Sequence, residues 1–260
     1  MTRNKCITIS DTLMKKVIIL AAFAALASAQ LASAQTNLQT FYDFGKDRKH
    51  ATTTLEMFKG DKWGDTFFFV DYDYVTKEQR QKDVTGVTGS YMEISRAINF
   101  WQDSKLAPLS AHVEFNGGVG FGNSNFLFGA NYFIHSKDFS KRLTLELMYK
   151  TFNGNASSDL PLQFTAVWGI DNLFGVDGLC FSGFADIWGE NNSYWYGDAN
   201  PLAGAAGKFT FLSEPQLWYN VGKLFGMDNL NIGGEVELAY NFAGCSGFHC
   251  RPCLGTKWNF

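Results

Sequence analysis

From Leu230 onward, apolar and polar positions alternate with a period of two. Ile232, Gly234, Val236, Leu238, Tyr240 and Phe242 fall on one side, and Asn231, Gly233, Glu235, Glu237, Ala239 and Asn241 on the other. After a turn the pattern resumes, with Leu254, Thr256, Trp258 and Phe260 set against Cys253, Gly255, Lys257 and Asn259. Residues two apart on a strand share a face. Both stretches therefore predict amphipathic strands, the second ending on an aromatic residue. The last strand of an outer-membrane barrel reads this way.

The same pattern recurs along the chain and predicts an all-β fold, a transmembrane antiparallel barrel of about twelve strands. The predicted strands are 38–44, 52–58, 65–75, 91–100, 109–121, 125–134, 143–152, 162–170, 179–190, 209–221, 230–242 and 250–260. The clearest is 143–152, where Leu143, Leu145, Leu147 and Tyr149 alternate with Thr144, Glu146, Met148 and Lys150. Helical spacing would place Glu146 and Lys150 among the leucines, so period two separates the faces better. Two positions disturb the pattern. Arg96 falls on an apolar side, which predicts a bulge or a place near the headgroups. Pro215 removes a ladder donor and predicts a bulge in the tenth strand. The longest polar gaps are Thr76–Thr88 and Asn191–Gly207. With an even strand number both face outward, while both termini face the periplasm. Two turns on the other side share Leu-Phe-Gly-x-Asp, at Leu173–Asp177 and Leu224–Asp228.

The N-terminal segment is an address. Lys15 and Lys16, an apolar run from Val17 to Ala29 and Ala32-Ser33-Ala34 have the form of a secretory signal. The run is shorter than the ~20 residues of a spanning helix. Residues 1–34 are thus expected to be an upstream extension, with Met14 the natural start, followed by a cleaved signal peptide. Residues 35–260 are then the barrel.

Charge narrows the partners. The whole chain carries 22 basic and 25 acidic residues. Removing residues 1–34 takes away Arg3, Lys5, Lys15, Lys16 and Asp11, leaving 18 basic and 24 acidic, a net charge of −6. That balance excludes nucleic acid as a partner. With 25 Phe, 10 Tyr and 7 Trp against five Pro, the composition suits aromatic girdles facing outer-membrane lipid. The terminal Phe260 points to the barrel-assembly machinery as a further partner.

Candidate chemistry lies on the face opposite the apolar stripes. It holds Glu56, Asp71, Asp73, Glu93, His112, Glu114, Asn131, Glu146, Lys150, Asp186, Glu214, Glu235, Glu237 and Lys257, with Phe67, Phe69, Phe184 and Trp188 among them. Carboxylates accept hydrogen bonds from hydroxyls and amines, and rings stack on planar ligands. Repeated weak sites suit conduction. The plainer alternative is that these charges only solvate or brace a barrel interior. Hydrolase, zincin and phosphate-loop motifs are lacking, and no cofactor is implied. His112 and Glu114, with Ser110 on the same face, keep an outer-membrane lipid hydrolase open as a rival, to be recognised by a Ser–His contact. A non-conducting structural barrel is the third reading. Cys245, Cys250 and Cys253 cluster with His249, and for an exported chain this favours a loop disulfide over a metal site. Which cysteines pair, Cys180 included, is open.

Several stretches resemble one family. Thr54-Leu55-Glu56-Met57-Phe58, Met92-Glu93-Ile94, Phe128-Gly129-Ala130-Asn131-Tyr132-Phe133-Ile134 and Gly183-Phe184-Ala185-Asp186-Ile187-Trp188-Gly189, with the closing strands, are similar to the nucleoside-specific outer-membrane channels (Tsx-like). The resemblance implies a narrow twelve-stranded barrel for passive nucleoside uptake. By position it implicates Glu56, Glu93, Asn131, Phe184, Asp186 and Trp188. Shorter outer loops and a cysteine-rich last loop depart from that family. The permeant-binding set expected from the residues and the resemblance together is Glu56, Asp71, Asp73, Glu93, Glu114, Asn131, Glu146, Phe184, Asp186 and Trp188.

Overall fold

The computed structural model describes residues 34–46, 48–119, 123–154, 156–193 and 206–260. The expected signal peptide, apart from Ala34, and residues 194–205 of the long outer gap lie outside these. The strands are β1 (Ala34–Asp43), β2 (Ala51–Asp61), β3 (Gly64–Tyr74), β4 (Val87–Ile98), β5 (Leu109–Val119), β6 (Asn123–His135), β7 (Lys141–Lys150), β8 (Asn153–Gly154), β9 (Leu162–Ile170), β10 (Leu179–Ser193), β11 (Ala206–Ser213), β12 (Gln216–Tyr219), β13 (Leu230–Tyr240) and β14 (Phe248–Asn259). Each long strand pairs antiparallel with its neighbour in sequence, and β1 pairs with β14. The two-residue β8 only extends the edge of β6, and β11 and β12 are halves of one strand. The result is a closed barrel of twelve strands, the architecture the alternation predicts. Closure removes both sheet edges, which a bilayer requires because it offers no water to unpaired backbone groups.

Parity along the strands sorts the side chains. Leu147 (59% exposed), Tyr149 (52%) and Leu254 (63%) point outward, while Glu146 (8%) and Lys150 (5%) point inward. Exposed aromatic residues gather near both ends of the outer face. Tyr42, Tyr72, Phe126, Phe209 and Tyr240 lie near one end, and Trp63, Phe100, Tyr132, Trp258 and Phe260 near the end that carries the termini. A closed sheet with an apolar outer face and aromatic girdles belongs in the bacterial outer membrane. Among the described residues no helix is long and apolar enough to cross a membrane.

The closing strand behaves as its sequence predicts. Leu38 faces Trp258 across the seam, and the Phe260 amide donates to the Thr36 carbonyl at 2.9 Å. Elsewhere the structure refines the expected boundaries. The Thr76–Thr88 gap contains a helical turn, α1 (Lys77–Arg80), held by a reciprocal capping box between Thr76 and Gln79, and β4 begins within that gap at Val87.

Arg96 sits in no bulge. The ladders on both sides of it are regular. It lies two residues from the end of β4 and donates to Asp61 at 2.7 and 2.9 Å and to Thr66 at 3.0 Å. An outward arginine is neutralised there at the rim. Pro215 makes a gap in the ladder, not a bulge. Ala185 pairs with Ser213 and Ser182 with Gln216, which is one register across the interruption. Opposite the proline, Gly183 adopts φ +148°, and a Cβ there would strike the Glu214 carbonyl, so that position needs glycine. The two Leu-Phe-Gly turns both form short 3-10 helices, Leu173–Gly175 and Val221–Phe225. Lys223 ties them together through Asp177 at 2.8 Å.

Candidate functional site: the charged lumen

The inward faces of β4, β5, β7, β9 and β10 build one wall of the lumen. On β4, Tyr91 donates to Glu93 at 2.6 Å. On β9 and β10, Thr165 donates to Asp186 at 2.6 Å, and two residues on, the Trp188 indole donates to Glu190 at 2.6 Å. Lys150 of β7 donates to Gln163 at 2.9 Å and places its ammonium 4.0 Å from the centre of the Trp188 ring. Desolvated cation–π contacts of this kind are among the stronger ones. Glu93, Glu114, Asp186 and Glu190 lie on the strands of the same wall.

On β5, His112 and Glu114 point inward with Asn116, whose amide donates to Glu114 at 3.1 Å. Glu146 approaches His112 from β7, reaching past β6. In register between them lie Gly129 and Asn131. Gly129 offers no side chain, and a Cβ there would meet the Leu147 backbone.

The other wall comes from β1, β2, β3, β12, β13 and β14. Thr54 donates to Asp71 at 2.5 Å and Thr52 to Asp73 at 2.7 Å, with His50 at 3.3 Å from Asp73. Asn37 donates to Glu56 at 2.8 Å and Gln216 to Glu235 at 2.9 Å. Arg251 is 2% exposed and pairs with Glu237, which Arg48 also contacts at 2.8 Å from the loop after β1. Between the walls several inward side chains are fully buried, among them Leu127, Met148, Trp218, Gln39 and Thr210. The lumen is therefore partly filled by side chains. Lys257 covers Trp218 at 4.3 Å from its ring centre, and Phe41 packs against the same indole at 5.6 Å.

All ten expected site residues fall on the inner face, but not in one place. Glu93, Glu114, Asn131, Glu146, Phe184, Asp186 and Trp188 share the first wall, and Glu56, Asp71 and Asp73 the second. Trp188 is 7% exposed, with Lys150 over one face and Phe242 against it edge-on at 6.2 Å. Tyr91, Gln163, Thr165 and Arg251 escaped the sequence reading. Each lies on the inner parity of its strand and within the bounds that the alternation predicts. Arg48 carries no such signal, because it reaches the lumen from a loop. Between Ser110 and His112 the structure records no hydrogen bond, the contact the hydrolase reading needs.

The loop disulfide is not formed. Cys180, Cys245, Cys250 and Cys253 are all free thiols. Cys250 and Cys253 are three apart on β14, so one faces out (exposed) and the other into the lumen (buried).

Comparison with known proteins places this architecture. Solved structures of similar fold include the NanC porin, with TM-score 0.52 and 9% identity, covering 86% of this chain and 100% of that one. They also include the KdgM porin, with TM-score 0.47, 10% identity and coverage of 87% and 99%. Outer membrane phospholipase A from Escherichia coli matches at TM-score 0.47 and 11% identity, over 87% and 96% of the two chains. At such identities the likeness is one of fold. No curated protein matches the chain. Residues 34–260, the whole of the described barrel, match the family described as Domain of unknown function (DUF5020), and the chain belongs to that family.

Proposed function

We propose that this barrel is an outer-membrane channel for passive uptake of small polar solutes, with nucleosides as the permeant class. The observation that carries the reading is the first wall, where an indole, a phenol ring and several carboxylates converge on one passage. A nucleoside is planar at one end and rich in hydroxyl donors at the other. Its base suits Trp188 or Phe184, and its sugar suits Asp186 and Glu93. Stacking on the covered face of Trp188 requires Lys150 to withdraw, which couples permeant entry to a charge rearrangement beside Asp186. The acid-rich lumen favours neutral or cationic solutes over anions.

Nucleoside block of single-channel current in a planar bilayer tests this. Trp188→Ala is expected to weaken block by the ~1–3 kcal/mol of a base–aromatic stack, and Asp186→Asn to weaken it while leaving the open current nearly unchanged. A current that no nucleoside modulates leaves a channel of other specificity. A second reading is favoured by the buried lumenal residues Leu127, Met148 and Trp218, namely a barrel closed at rest. Absence of any current in the unmodified protein selects it.

A further inference from the structure

We propose that His112, Glu114 and Glu146 bind one divalent first-row metal ion, Zn²⁺ by ligand preference, inside the barrel. The three side chains come from two strands, β5 and β7, and each can offer one ligand atom such that all three lie within 4.8 Å of one another. His112 Nε2 is 3.6 Å from a Glu114 oxygen, and Nδ1 is 3.7 Å from a Glu146 oxygen. These separations are too long for hydrogen bonds. Only one ring nitrogen faces a given ion, so the Nε2–Glu114 separation matches two ligands sharing a tetrahedral ion at about 2.0–2.2 Å from each, and Glu146 reaches that ion from within the same 4.8 Å cluster.

A second observation points to a ligand. His112 is 5% exposed, and its Nε2 is buried with no hydrogen-bond partner. An orphaned ring nitrogen in a buried site calls for an explanation, and beside two carboxylates a cation supplies one. The rest of the surroundings fits. Neutral imidazole with two carboxylates carries two negative charges, which a divalent ion balances. Asn131 lies 3.3 Å from His112 Nδ1. Rotating its amide presents the oxygen to Nδ1–H and leaves the Nε2 lone pair for the metal, the outer support that metal-bound histidines have. Mixed imidazole and carboxylate ligands favour Zn²⁺ over Mg²⁺ or Ca²⁺. With three protein ligands, the fourth position stays open to water or to a donor group of a solute in the lumen. The competing explanation is a protonated histidine held between two carboxylates with no metal.

The test is equilibrium dialysis of the full folded protein in detergent, stripped with chelator and titrated with Zn²⁺, then repeated with Co²⁺ and read by visible absorption. One saturable Zn²⁺ per chain is expected, with a Co²⁺ spectrum of nitrogen and oxygen ligands. His112→Gln and Glu146→Gln should each abolish binding, and Asn131→Ala should weaken it about 10–100-fold. Heat-modifiable gel mobility shows that each variant is folded. Cys245→Ser with Cys250→Ser and Cys253→Ser should bind as the unmodified protein does. No saturable Zn²⁺, binding that survives both His112→Gln and Glu146→Gln, or a thiolate charge-transfer band with Co²⁺ overturns the assignment. None of these readouts depends on whether the barrel conducts.

Discussion

At the scale of single residues, the inner and outer faces obey opposite rules. Leu147 faces lipid, so Leu147→Arg sets a charge in hydrocarbon. We expect a loss of about 2–4 kcal/mol if the site lies near the bilayer centre, measured by urea titration of folding into lipid vesicles. Arg251 faces inward and neutralises Glu237. Arg251→Ala leaves that carboxylate buried with Arg48 alone, and removing one partner of a buried pair costs about 3–5 kcal/mol. Arg48 should hold the loss to the lower end. Replacing Glu237 as well, by Gln, should recover most of it in the same assay. A single Arg251→Ala variant of unchanged stability would show that Arg48 suffices.

At the scale of elements, turns and seams carry the specificity. The turn between β6 and β7 is held by Asp138, which accepts from the Ser136 hydroxyl at 2.5 Å, the Ser140 hydroxyl at 2.9 Å and the Ser140 amide at 3.2 Å. These donors pull its carboxyl down from 3.8 to about 2. A depressed folded-state value stabilises the turn fully above the unfolded value and loses that contribution as pH falls through the folded one. The Ser140 amide should therefore stay protected from hydrogen exchange at pH 4 and lose protection as pH falls toward 2. Asp138→Asn should remove this pH dependence. The seam makes a separate prediction. Phe260 donates its backbone to Thr36 and leaves its ring 61% exposed on the outer face. Deleting Phe260 should lower the amount of assembled, heat-modifiable barrel in cells. It should change the stability of barrel already folded in vitro much less, because only the last rung of the seam is lost. Equal cellular levels of the deletion and the full chain would remove the assembly role.

At the scale of the whole molecule, two acid-rich walls face each other across the lumen. Glu93 of β4, Glu114 of β5 and Asp186 of β10 lie on one, and Asp71 of β3 and Glu235 of β13 on the other. A cation introduced anywhere in this space changes the field along the passage. Permeation, its control by Lys150 and occupancy of the His112 cluster should therefore be coupled. Potassium should pass more readily than chloride in reversal-potential measurements, and Zn²⁺ should reduce that preference in the unmodified protein but not in Glu146→Gln.

The sequence by itself determined the barrel, its strand number and the face of each side chain. Period two is a local property, and a barrel pairs each strand with its neighbours in sequence, so local pattern and global topology coincide. That is why Leu143–Tyr149 and the closing strand read correctly, and why every expected site residue lies inside. What only the tertiary structure decided is which inward residues meet. Parity says that His112 and Glu146 point inward, but the register of β5, β6 and β7 brings them together across β6. The same holds for Arg48, which enters from a loop, and for Lys150 over Trp188, which depends on the register of β7, β9 and β10. Pro215 and Arg96 were visible as exceptions, yet their resolution lay in partners far along the chain, Gly183 and Asp61. The cysteine spacing suggested a loop disulfide, whereas the β14 pleat sends Cys250 and Cys253 to opposite faces. Alternation fixes direction, and distance across a closed sheet is set by register and tilt, which no single strand encodes.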